Sequence, residues 1–89
     1  MTTTETVLRR ALDTYGADAQ IGMAIEECGE LIVALQHHRR GRAANVVTEI
    51  ADVLIVAGQM RLLFGAEVVD AEVKGKLGRL EYRMAGAKG

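Results

Sequence analysis

Proline and tryptophan are absent, cysteine occurs once, and two Tyr and one Phe are the only aromatic residues. Without proline, no helix is interrupted by a missing N–H or a ring clash. A single cysteine excludes an internal disulfide framework and a cysteine-rich zinc site, so nothing staples the chain covalently. Charge of one sign is lacking too: 11 Lys and Arg face 12 Asp and Glu, for a net charge of −1. A general nucleic-acid binder carries a basic excess, so no nucleic-acid partner is expected. No apolar run approaches the ~18 residues that span a bilayer, so no membrane partner is expected either. The opening Met1-Thr2-Thr3-Thr4-Glu5 lacks the basic and apolar regions of an export signal. With one cysteine, this implies a reducing, cytoplasmic home.

What remains is 89 residues, 49% hydrophobic and 26% charged. That is the composition of a globular protein and the length of one domain, residues 1–89. A chain this short buries only ~60–65% of the surface its unfolded form exposes. A lone monomer would be marginal, so a homo-oligomer, dimer or tetramer, is expected.

The apolar spacing predicts an all-α fold of four helices. Thr2-x-x-Glu5 has capping-box spacing, and Thr4 is a second candidate cap. Val7, Leu8, Ala11, Leu12 and Tyr15 follow at helical spacing, predicting a helix over about 4–15 that Gly16 stops. Asp18 is a good second N-cap. Ile21, Ala24, Ile25, Cys28, Leu31, Ile32 and Leu35 then form a long helical stripe. It runs to His37-His38-Arg39-Arg40-Gly41, the basic residues and glycine that helix C-termini favour. A third helix begins near 43–45, carries Val46, Val47, Ile50, Val53, Leu54 and Ala57, and ends at Gly65. Ile55 and Val56 make it apolar nearly all round, as a helix buried on two sides should be. A fourth covers about 67–84 with Val69, Val73, Leu77, Leu80 and Met84 inward, and residues 85–89 are expected to fray.

Two segments carry the chemistry. Glu27-x-x-Glu30 and Glu49-x-x-Asp52 each set two carboxylates on one helix face, beside an apolar stripe. A turn near Gly41 makes the two helices antiparallel neighbours. Glu27 and Glu30 lie 14 and 11 residues before it, Glu49 and Asp52 lie 8 and 11 after. At ~1.5 Å per residue the pairs reach nearly the same height. Gly29 and Ala51 are small enough for close backbone approach there. Four facing carboxylates repel strongly unless a cation joins them. An all-oxygen set selects a hard ion, Mg²⁺ or Mn²⁺, which commonly also binds substrate phosphates. Glu26, four residues before Glu30, is placed to hold a second ion or to orient an attacking water. A single E-x-x-E pair is more often only a solvated face. Two pairs at matched height are what favours a site.

The run Glu26-Glu27-x-x-Glu30, an 18-residue gap, then Glu49-x-x-Asp52 resembles the metal motif of the MazG-like all-α NTP pyrophosphohydrolase superfamily. Tyr15-Gly16 before Gln20, Met23-Ala24-Ile25 before the acids, Ile50-Ala51 between them and Lys76-Leu77-x-Arg79-Leu80 extend the similarity over nearly the whole chain. It is closest to the short, phage-type members. The resemblance implies Glu27, Glu30, Glu49 and Asp52 as Mg²⁺ ligands and an oligomer whose sites are completed across subunits. It also implies hydrolysis of (d)NTPs between the α- and β-phosphates, to a monophosphate and pyrophosphate, as in nucleotide-pool house-cleaning. Glu26 and Glu27 are then the candidate catalytic residues. Two other functions stay open: phosphoribosyl-ATP hydrolysis, and a non-catalytic helical interaction module with a degenerate site.

Lys76, Arg79 and Arg83 stand at i, i+3, i+7 on the fourth helix. They form either a solvated face or a clamp for the triphosphate, and the resemblance favours Lys76 and Arg79 as substrate-binding residues. Gln20 is a third substrate-binding candidate, for base or ribose, against a plain polar helix start. His37 to Arg40 read as a solvated helix end satisfying free carbonyls. Cys28, Met23, Met60 and Phe64 read as packing.

Overall fold

The structure, a computed structural model, describes residues 3–87. Four helices follow in order, α1 (Thr3–Tyr15), α2 (Ala17–Arg39), α3 (Val46–Phe64) and α4 (Ala66–Ala87), with no strand among the described residues. None of the helices is long and apolar enough to cross a membrane. Thr2 of the predicted capping box and residues 88–89 lie outside the described residues. Thr4 lies inside α1, not at its cap, and α4 continues through the predicted fray to Ala87.

Three glycines with positive φ make the corners: Gly16 (90°), Gly41 (74°) and Gly65 (111°). Side chains rarely adopt such angles, so these positions select glycine. Gly16 alone separates α1 from α2. Its N–H closes α1 onto the Leu12 carbonyl at 2.9 Å, and its own carbonyl accepts from Gln20 N–H at 3.2 Å. The cap expected at Asp18 therefore moves to Gly16, because one residue suffices to turn the chain. Asp18 sits in the first turn, where its charge complements the helix dipole. At the end of α2, Arg42 N–H donates to the His37 carbonyl at 2.9 Å and Gly41 N–H to that of His38 at 3.0 Å. This is a Schellman ending. Backbone N–H groups, not the His37–Arg40 side chains, satisfy the last carbonyls.

Helices α2 and α3 pack most closely, with α1 laid mainly on α3 and α4 touching α3 alone. They run antiparallel: Gln20 and Gln59 line one cavity at one end, Ala34, His37 and Asn45 another at the opposite end. The buried residues among those described are Ala34, Val56, Gln20 and Gln59. The close approach expected at Gly29 and Ala51 is not where the backbone is tightest: a side chain at Gly29 would meet nothing within 4 Å. The tight glycine is Gly58, where an added Cβ would lie 2.8 Å from Leu8 Cδ1 of α1. Gly58→Ala should therefore be near neutral, since Leu8 can rotate and the helix gains propensity of about 1 kcal/mol. Gly58→Val, which overpacks the α1–α3 contact, should cost about 1–3 kcal/mol by urea unfolding.

Arg61 ties three helices together at their open end. Its Nε and Nη2 donate to the two carboxylate oxygens of Asp70 on α4, both at 2.7 Å, and its Nη1 stands 3.8 Å from Glu5 on α1. This fork holds the Asp70 carboxyl below the usual carboxylate range.

Much of the predicted core is uncovered in the single chain. Ile25 and Ile32 on α2, Leu54 on α3 and Phe64 at its end are each at least 60% exposed, and Cys28 is exposed. So are Val73, Leu77, Leu80 and Met84, expected to face inward. The reason is topological: α4 leaves Gly65 without crossing back over α2. The chain's radius of gyration is 16.1 Å, against ~12 Å for a compact domain of this length. Its accessible surface is 6979 Å², ~1,900 Å² more than the ~5,100 Å² of a compact monomer of this mass.

Candidate metal centre

Glu27 and Glu30 stand one turn apart on α2, and Glu49 faces them from α3. One carboxylate oxygen from each lies within 4.8 Å of the other two. Glu27 and Glu49 are half-buried and Glu30 is exposed. One oxygen on each half-buried carboxylate, Glu27 Oε2 and Glu49 Oε2, is shut from solvent with no hydrogen-bond partner. Unpaired buried carboxylate oxygens are costly. Burial raises the Glu27 carboxyl above its ordinary range, and the charges of Glu30, Asp52, Glu49 and Glu26 push the same way. Burial likewise raises Glu49, followed by the charges of Glu30 and Asp52 and a hydrogen bond that its protonated form shares with Glu30. Asp52 thus acts electrostatically on both glutamates but stands outside the close triad.

Orphaned oxygens, an all-oxygen donor set and mutual repulsion fit a hard divalent cation. The charge balance predicts an unusual pH response. Carboxyls held up in the folded state bind protons more tightly there than when unfolded. Their stabilising contribution is complete below the unfolded value near 4.5 and fades as pH rises through the raised folded values. Asp70 acts oppositely, but its window lies below 3.8. The metal-free protein should therefore melt at a higher temperature at pH 5 than at pH 7.5, and saturating Mg²⁺ should reverse that order. A thermal melt series with and without EDTA checks both signs.

The triad lies between two cavities. An open cleft of about 660 Å³ is lined by Glu26, Glu30 and Glu49 and reaches His37 and Asn45. A smaller cavity of about 180 Å³ is lined by Glu27, Asp52, Gln20, Gln59, Met23 and Val56. Gln20, the candidate for base or ribose, lines the same cavity as Glu27 and Asp52. Lys76, Arg79 and Arg83 are not: with Tyr82 they line a concavity on α4, and α4 does not touch α2. Gln59 went unnoticed as a lining residue, and His37, read as part of a solvated helix end, lines the larger cleft. Gln59 is two turns after Asp52 and His37 two turns after Glu30, so counting sevens from each acid finds both.

Comparison with protein-family models, with curated proteins and with solved structures returns no match.

Proposed function

We propose that the chain is a Mg²⁺-dependent nucleoside triphosphate pyrophosphohydrolase that works as a homo-oligomer, with Mn²⁺ as a substitute ion. The observation that carries this reading is the convergence of Glu27, Glu30 and Glu49 with two orphaned carboxylate oxygens. Glu27, Glu30 and Glu49, with Asp52 beside them, would hold the ion. Bound there, Mg²⁺ would polarise an α-phosphate and lower the pKa of a water. The rest falls to the chain's own groups. Glu26, on the larger cleft and outside the ligand triad, is suited to take the water's proton, and Glu27, next to it on α2, to orient that water. The water oxygen bonds to the α-phosphorus, the α–β bridging P–O bond breaks, and pyrophosphate departs. Lys76 and Arg79 suit the leaving charge. Since α4 does not reach α2 within one chain, they would serve the site of a second copy. The ~1,900 Å² of excess surface per chain is on the scale of an obligate interface.

The test is pyrophosphate release from a panel of canonical and modified (d)NTPs, with phosphoribosyl-ATP included, under Mg²⁺ or Mn²⁺. Stimulated release from at least one NTP is expected. Release from phosphoribosyl-ATP alone would move the substrate assignment, and no release from any compound would leave a non-catalytic helical module.

A further inference from the structure

Gln20 and Gln59 are 7% and 5% exposed, the buried polar residues among those described. Gln59 Oε1 is shut from solvent with no hydrogen-bond partner. A buried, unpaired carbonyl destabilises the fold, so its retention asks for a ligand. Both glutamines line one cavity from opposite helices, and Gln59 Oε1 lies just behind its wall. Gln20 is seven residues before Glu27 and Gln59 seven after Asp52. The amide pair and the acidic pair therefore stand about 10 Å apart along the same helix interface. Met23, Ile55 and Val56 supply apolar wall between them. A flat ring can lie against that wall, and an amide offers an acceptor and a donor side by side, the pattern of a base edge. At about 180 Å³ the cavity is smaller than the ~300–1,000 Å³ of whole-ligand sites, so it has room for a base at its glutamine end, with the α-phosphate at its acidic end and the remaining phosphates in the larger cleft.

We propose that the Gln20–Gln59 cavity binds the nucleobase of the substrate, with Gln59 Oε1 accepting from a ring or exocyclic N–H of its hydrogen-bonding edge. This rests on the pyrophosphohydrolase reading for its substrate class. A span of about 10 Å matches a nucleoside reaching from base edge to 5′-phosphate, which puts the α-phosphate at the carboxylates. Each amide can turn to present either group, so the cavity tolerates several bases while rejecting a phosphate chain with no base.

The experiment uses the whole protein without metal and follows the Gln side-chain NH₂ signals by NMR during titration with adenosine, guanosine, cytidine and uridine, with tripolyphosphate as the base-free control. At least one nucleoside should shift the Gln59 signal and tripolyphosphate should not. Gln59→Leu should weaken nucleoside binding at least about tenfold, leave Mn²⁺ binding by EPR titration unchanged, and raise the melting temperature by removing an orphaned acceptor. Should Gln59→Leu fail to fold, the wild-type signals still decide. Nucleosides that leave both Gln signals unmoved, or that bind Gln59→Leu as tightly as wild type, overturn the proposal. The two readings fail separately. Nucleoside binding without pyrophosphate release sinks the hydrolase alone. Release with an unchanged KM in Gln59→Leu sinks the base site alone.

Discussion

Glu49→Gln is expected to abolish stabilisation by Mg²⁺ and to cut pyrophosphate release by about 100-fold or more, while the metal-free protein stays at least as stable as wild type. Glu49 supplies one of three converging oxygens, and its Oε2 is buried without a partner. The amide keeps the shape, removes a charge that Glu30 and Asp52 oppose, and is a far poorer ligand for a hard cation. In wild type the apparent stability should climb as RT ln(1+[Mg²⁺]/Kd), because the ion binds only the folded arrangement. In the variant that dependence should vanish. Thermal melts across an Mg²⁺ series and a pyrophosphate assay read both effects. A variant that loses stability without metal yet hydrolyses at the wild-type rate would sink the carboxylate site. Cys28→Ala, one residue from Glu27 but exposed, should change neither quantity.

Leu77→Asp should turn the proposed homo-oligomer into monomers. Leu77 is 59% exposed on the outer face of α4, in a row with Val73, Leu80 and Met84. An apolar stripe of that length on a solvated helix is unusual for a monomer. A buried aspartate within an interface costs more than the contact yields. Light scattering should give a multiple of 9.6 kDa for wild type at micromolar concentration and the single-chain mass for the variant. Hydrolysis should fall with the mass, because Lys76 and Arg79 would no longer reach a neighbouring site. Mn²⁺ binding should persist, since the triad belongs to α2 and α3. A 9.6 kDa wild-type particle overturns the oligomer.

The helices and their corners were legible because each signal is local. Gly16, Gly41 and Gly65 sit where the apolar period breaks, and each adopts the positive φ that glycine permits. The convergence of Glu27, Glu30 and Glu49 was legible because an antiparallel hairpin turns sequence distance into height. Burial was not legible. Ile25, Leu54 and Leu77 have perfect helical spacing, but spacing identifies an apolar face and not what lies against it. Cys28 was misread as packing for that reason. Gln59 escaped because a polar residue inside an apolar run looks like a solvated position until the neighbouring helix is in place. Lys76 and Arg79 depend on where α4 goes after Gly65, which no local pattern states.

The attachment of α4 through α3 alone also bears on how the chain folds. The α2–α3 hairpin closes a connection of a few residues between long helices, a contact of low order that forms quickly and by itself. Helix α4 gains no long-range partner from that event. Its amides are held by its own turns, and the Arg61 fork and the contact with α3 tether only its first turns. Hydrogen exchange in α4 should therefore slow more steeply than exchange in α2 and α3 as protein concentration rises. The same contrast should appear in refolding, as a rapid first-order phase followed by a second-order one.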